Sequence, residues 1–382
     1  MKLGLDVFLE TEYKRFHGQK IGLLTNMTGV NHALKPSIDL FANHPEINIV
    51  ALYAPEHGIR GDAKEGESVQ SSVDPYSGLP VHSLYGDSKK PTKEMLRDVD
   101  VVVFDLQDIG SRYYTFIYTM AYMMEACNEH GKEFIVLDRP NPIGGLKMEG
   151  NLVEDECRSF VGLLPIPNRH GLTVGELAVV FKNEFGYSCS LTVIPMEDWS
   201  REMYFDETGL FWVPPSPNAP SLDMAMLYPG TCLLEGTNVS EGRGTTKPFE
   251  MIGAPFIDGY TLTNAFNKLH LPGVVARPTS FKPTYQKYKN EVCSGIQLHV
   301  TDRHTLHAVE MAIKLIDLIA KTYPDHFSFL EHSSGRFMFD LLAGTKSLKE
   351  NVTGGKKISP FLKQCQIESA AFKRKVEPYL LY

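Results

Sequence analysis

The sequence predicts an α/β protein: a Rossmann-like, doubly wound and mostly parallel sheet, followed by a second, smaller α+β domain. Three observations predict it. Near-continuous Val/Ile/Leu runs recur through the first half of the chain. Stretches with helical apolar spacing separate them. At 382 residues the chain also exceeds what one hydrophobic core usually serves.

Residues 3–16 carry apolar side chains at helical spacing, and 20–25 (KIGLLT) follow as a short strand. A helical stretch over 33–42 leads to the second strand, 47–53. Residues 99–105 and 133–138 are two more strands, with a helix over 113–129 between them. Residues 173–185 are helical, with Thr173 as N-cap and Glu176 completing a capping box, and 190–194 form the next strand. Runs this apolar mark strands covered on both faces. Over 214–253 the chain is dense in Pro and Gly and reads as a functional crossover segment between domains. Beyond it, 261–269, 304–321 and 360–381 are expected helices, and 273–281 and 294–300 expected strands. The expected division is a catalytic N-terminal domain over 1–228 and a C-terminal domain over 229–382 that completes a cleft.

The composition is that of an ordinary globular chain, with 43% hydrophobic and 22% charged residues and a formal net charge of -8. Binding phosphate backbones calls for clustered Lys and Arg. The basic runs here (Lys89-Lys90, Lys356-Lys357, Lys373-Arg374-Lys375) are isolated, so no nucleic-acid partner is expected. No segment reaches the ~18 to 20 consecutive apolar residues that a membrane span needs. Residues 1–20 interleave Asp6, Glu10, Glu12, Lys14 and Arg15 with apolar residues and hold no secretory h-region. A cytoplasmic location is expected, unless an export signal has been removed. The six cysteines form no CxxC pair, so neither a zinc knuckle nor a redox motif is indicated, and no metal is expected.

In open α/β sheets the ligand sits beyond the carboxyl ends of the strands. The residues placed there are polar and rich in Gly and Pro, and four such loops would share one rim. The first holds Asn26. The second is Pro55-Glu56-His57-Gly58, with Arg60 close behind. Partial desolvation at such a rim favours the protonated form of Glu56, as a general acid needs, and His57 can donate to substrate or tune its neighbour. The competing reading is that Glu56 caps a turn and His57 packs. The third loop, 105–114, offers Asp105, Gln107, Arg112 and Tyr113 to a sugar or an anion. Its competing reading is that Asp105 caps the next helix while Arg112 pairs with Asp108. The fourth, from Asp138, fixes Arg139 and Asn141 around two prolines. Arg169 and His170 face the same cleft on this reading.

The glycine-spaced stretch 235–246 lacks the phosphate-loop spacing, and Lys247 is followed by Pro248. A loop closing over substrate, offering Asn238, Glu241 and Arg243, fits it better. There is no G-x-S-x-G elbow, no H-E-x-x-H and no first-strand G-x-G-x-x-G, so no cofactor is expected.

Seven stretches carry a family resemblance. They are GLLTNMTGV (22–30), APEHGIRG (54–61), DVVVFDLQDIGSRYYTFIYTM (100–120), VLDRPNPIGG (136–145), PNRHGLTVGELA (167–178), PSPNAPS (215–221) and YPGTCLLEGTNVSEGRGTTKPFE (228–250). Together they resemble the exo-β-N-acetylmuramidase family NamZ, while the C-terminal third matches mainly in length and α+β pattern. The resemblance implies release of terminal N-acetylmuramic acid from the non-reducing end of peptidoglycan fragments, in a cleft between two domains. It implies Glu56 as the catalytic carboxylate. Family members are often exported, and this chain departs from that pattern in showing no signal. Muramic acid carries a lactyl carboxylate, for which Arg112, Arg139, Arg169 and Arg243 are available. Glycoside hydrolysis usually needs two carboxyl groups. Glu241 is the first choice for the second, then Asp105 and Asp138, and the substrate's own acetamide is an alternative to all three. The competing functions are a non-catalytic protein that binds cell-wall fragments and a nucleotide-dependent enzyme.

Overall fold

The computed structural model describes residues 1–61, 72–86, 88–331 and 335–382. Seven strands form the main sheet: β1 (Lys20–Thr25), β2 (Asn48–Ala54), β3 (Ser72–Val73), β4 (Pro80–Ser83), β5 (Val101–Asp105), β6 (Glu133–Leu137) and β7 (Ser190–Ile194). Their order is β3-β4-β2-β1-β5-β6-β7, and every pairing is parallel except β3 with β4. Because successive side chains point to opposite faces, both faces of β1 and β5 need cover. Leu23, Val101, Val103, Ile135 and Leu137 pack beneath α1 (Gly4–Glu10) and α2 (Ser37–Ala42). Leu24, Val102, Phe104 and Val136 pack beneath α3 (Phe116–His130) and α4 (Val174–Glu184). α3 is buried almost all round, from Phe116 to Cys127, as a helix wedged between two layers must be. α4 starts as its sequence predicts: Thr173 accepts from the Glu176 amide and Glu176 accepts from the Thr173 amide.

The second layer is the C-terminal part. α5 (Leu222–Thr231), α6 (Gly259–Asn267), α7 (Ala308–Thr322), α8 (Met338–Ala343), α9 (Ser347–Thr353) and α10 (Ser359–Val376) surround a small sheet. Its strands, β8 (Met251–Ala254), β9 (Val274–Phe281) and β10 (Cys293–Val300), pair antiparallel in the order β8-β10-β9. The Pro/Gly-dense stretch contains α5, the 3₁₀ turn Cys232–Gly236 and the start of β8. Ser221 caps α5 by accepting from the Met224 amide, and Pro229 falls in the last turn. Gly230 is there for contact: a Cβ would stand 1.9 Å from the Ala308 carbonyl oxygen, where α5 crosses α7. Among the described residues no helix is long and apolar enough to cross a membrane.

Two polar anchors join the layers. Arg112 is wholly buried and donates to four carbonyls: Asn151 and Ile166 on one side, Leu342 (3.0 Å) and Ala343 (2.6 Å) on the other. Tyr382 reaches back to the edge of the main sheet, donating to Asp138 at 2.7 Å and accepting from the Met196 amide at 2.7 Å. Asp138 also accepts from Thr173 Oγ1, the Gly175 amide and the Arg139 amide. Burial pushes its carboxyl up to about 7, with the Glu176 charge adding to the rise and the Gly175, Tyr382 and Thr173 donors holding it back only in part.

Both anchors make predictions. Arg112→Ala leaves buried carbonyls unsatisfied and should lower unfolding free energy by about 3 kcal/mol, with little recovery in Arg112→Lys. Chemical denaturation measures it, and a loss under about 1 kcal/mol would contradict the anchor. The raised Asp138 carboxyl contributes stability that is fully present below its ordinary 3.8 and lost as pH rises through about 7. Asp138→Asn should flatten that decline in melting temperature. An unchanged slope would show that Asp138 does not cause it.

Candidate active site

β2 ends at Ala54 and runs into a tight turn in which the Gly58 amide donates to the Pro55 carbonyl at 3.1 Å. Its third residue must adopt a positive φ, and His57 does so at 75°. Glycine or asparagine is usual at that place, so histidine there stores on the order of 1 kcal/mol of strain. The turn aims Glu56 at the gap between the layers. Thr115, from the loop after β5, donates to Glu56 Oε2 at 2.7 Å. β2 and β5 flank β1, so acid and donor reach each other across the end of the central strand.

Glu56 forms part of the wall of a cleft of roughly 360 Å³ between the layers. His57, Tyr113, Tyr114 and Thr115 line it from the main sheet, and Tyr228, Glu235, Arg243 and Phe249 line it opposite. Tyr85 and Phe160 border it as well. The rings are held edge to face, Tyr114 on Phe116 at 4.8 Å and Tyr228 on Phe249 at 4.7 Å. Such a wall, largely aromatic with a few converging polar groups, suits a sugar ring with its apolar faces and polar rim. Arg243 donates to Glu235 at 2.7 Å, lies 3.5 Å from Glu241, and sits 5.1 Å over the Phe249 ring. Burial opposes its charge, but the two carboxylates outweigh burial and keep the guanidinium firmly protonated. Among the described residues no cluster of three His, Cys, Asp or Glu side chains is arranged to hold a metal.

Of the residues picked from sequence, the cleft wall brings together Glu56, His57, Tyr113 and Arg243. The others stand outside that wall. Glu241 is buried behind Arg243 and pairs with Lys287 at 2.9 Å. Asp105 and Arg139 form a buried ion pair at 2.6 Å, and Arg139 also donates to the Val30 carbonyl. Gln107 donates to the carbonyls of Asp108 and Pro140, Asn26 closes a turn onto Thr28, and Asn141 donates to the Leu172 carbonyl. Arg169 pairs with Glu149 at 2.9 Å and Arg60 with Asp74 at 2.9 Å. His170 accepts the Leu172 amide at Nδ1, which leaves Nε2 to donate to Asp108 at 3.0 Å. Asn238 ties its loop to His326 and Ser328. Arg112 and Asp138 are the anchors already described. These groups share one cause: long loops at a buried sheet rim carry backbone groups that need partners, and polar side chains supply them.

The usual ligand crevice of such a sheet, beside β1 and β5, is filled. Leu3, Phe205, Leu210, Phe211 and Trp212 close over Thr28, Gln107 and Arg139 and leave about 20 Å³. That space suits a water molecule and not a nucleotide. Sequence reasoning did not pick Thr115, Tyr228, Glu235 or Phe249 as site residues, and it had Tyr114 only as part of the stretch 105–114. All five lie inside stretches it singled out, but local spacing does not say which side chains of a loop point inward.

Residues 21–223 match the family described as exo-beta-N-acetylmuramidase NamZ, N-terminal, and residues 226–382 match its C-terminal counterpart. The chain is 48% identical, over all 382 of its residues and 91% of the relative's length, to the peptidoglycan beta-N-acetylmuramidase NamZ of Bacillus subtilis (strain 168). Two crystal structures of DUF1343 family proteins from Bacteroides fragilis NCTC 9343 resemble it. One has a TM-score of 0.92 at 41% identity, covering 100% of this chain and 98% of that one. The other has a TM-score of 0.77 at 30% identity with the same coverage, 100% and 98%. The chain belongs to the exo-β-N-acetylmuramidase NamZ family.

Proposed function

We propose that this protein is an exo-acting glycosidase that releases terminal non-reducing N-acetylmuramic acid from peptidoglycan fragments of the N-acetylmuramyl–N-acetylglucosamine type. The observation that carries the reading is Glu56, set by a strained turn on the wall of an aromatic cleft and held by Thr115. Glu56 is the general acid: its proton goes to the glycosidic oxygen as the bond to the anomeric carbon breaks, water supplies the new hydroxyl at that carbon, and the proton water gives up restores Glu56 by way of solvent. Among the described residues Glu235 is the other carboxyl group on the cleft wall. Glu241, expected as the partner, is spent on Lys287 and Arg243, and on this reading it orients Arg243 and does not touch the sugar. Of the four arginines considered for the lactyl carboxylate, Arg243 is the one at the cleft.

Glu56→Gln keeps the shape of the side chain and removes the transferable proton. It should cut turnover of a chromogenic β-N-acetylmuramide by about 100-fold or more while the melting temperature stays within a few degrees. Near-normal turnover by the folded variant would overturn the assignment. Saturable binding of muramyl fragments by the unsubstituted protein, with no product, would favour a binding protein.

A further inference from the structure

Tyr114 has a hydroxyl that the reaction above leaves unused. Its ring lines the cleft, fixed edge-on by Phe116 at 4.8 Å and by Tyr228 at 6.4 Å. The hydroxyl is buried and meets no hydrogen-bond partner among the described residues. Native folds rarely keep a buried donor unpaired, and on a cleft wall a ligand atom can supply the acceptor. Trp199 Nε1 and Thr263 Oγ1, which also meet no partner among the described residues, belong to residues outside the cleft wall.

The surroundings indicate what kind of acceptor fits. Burial first, then the nearby carboxylates of Glu56 and Asp108, hold the phenol protonated far above its ordinary range, with Arg243 opposing them more weakly. Asp108 is kept in place by the Gly110 amide at 2.6 Å and by His170 at 3.0 Å. The phenol is therefore a neutral donor, suited to a neutral oxygen, while the charged Arg243 is the group at the cleft suited to a carboxylate. On an N-acetylmuramic acid unit the strongest neutral acceptor is the carbonyl of the 2-acetamido group. That group sits on the carbon next to the anomeric centre, where Glu56 acts. Tyr114 and Thr115 are adjacent in sequence, and Thr115 holds Glu56.

We propose that Tyr114 donates to the 2-acetamido carbonyl of the sugar, and so selects an N-acetylated substrate and positions its anomeric carbon against Glu56. The inference rests on the glycosidase reading and specifies one contact within it.

Tyr114→Phe removes the hydroxyl and keeps the ring. Two chromogenic substrates test it: the β-N-acetylmuramide and its counterpart with a hydroxyl in place of the acetamido group. The variant should lose about tenfold in kcat/KM on the first and less than about twofold on the second. Its melting temperature should be unchanged or higher, since a partnerless buried donor has gone. An equal loss on both substrates, or none on the first, would overturn the proposal, as would a melting temperature lower by several degrees. A crystal structure of Glu56→Gln with the muramyl disaccharide decides it independently of rates. The Tyr114 hydroxyl is expected about 2.7 Å from the acetamido oxygen, and a separation beyond about 3.5 Å, or contact with the lactyl carboxylate, would overturn it. Failure of the unsubstituted protein to cleave the N-acetylmuramide would instead sink the glycosidase reading itself.

Discussion

The site depends on one loop, Ser111 to Thr115, which is gripped from behind and used from the front. Ser111 bridges to Arg169, Arg112 fastens four carbonyls of both layers, and Tyr113 donates to the Pro229 carbonyl at 3.1 Å. Those bonds leave Tyr114 and Thr115 little freedom. Thr115 in turn fixes the Glu56 carboxylate, which its own strained turn already aims. The guanidinium fork suits this work because it stays charged and presents several donors in a fixed plane. A fold that must hold an acid in place on a loop needs such a grip, since loops have no ladder of their own.

The cavity of this Rossmann-like sheet is not in the usual place. The crevice where such sheets usually bind a nucleotide is closed by Phe205, Phe211, Trp212 and their neighbours, over the Asp105–Arg139 ion pair. The useful cavity has moved to the seam between the sheet layer and the C-terminal part, which contributes Tyr228, Glu235, Arg243 and Phe249. The C-terminal part is thus half of the cleft.

Much of the fold was legible in the sequence, because buried parallel strands demand continuous apolar runs and the helices between them show their period. β1, with KIGLLT, and the Thr173–Glu176 capping box appear where expected. The short edge strand β3 and its neighbour β4 were not legible, being brief and half polar. α5 was hidden by Pro229 and Gly230, which read as breakers but permit a tight crossing of α7. In the site, the place of Glu56 after a buried strand put it at the sheet rim, while its catalytic role came from the family resemblance and not from spacing. The arginines were not legible: Arg112, Arg139, Arg169 and Arg243 have the same chemistry in one dimension, and only packing separates three structural anchors from the one at the cleft. Glu235, on the 3₁₀ turn Cys232–Gly236, and Glu241, in the loop beyond it, are likewise told apart only by packing.

If this cleft removes one terminal muramic acid unit at a time, mass spectrometry of a defined muramyl-terminated peptidoglycan tetrasaccharide after digestion will show free N-acetylmuramic acid and a trisaccharide as the first products. Internal cleavage into two disaccharides, or an intact tetrasaccharide after prolonged incubation, would contradict this terminal action.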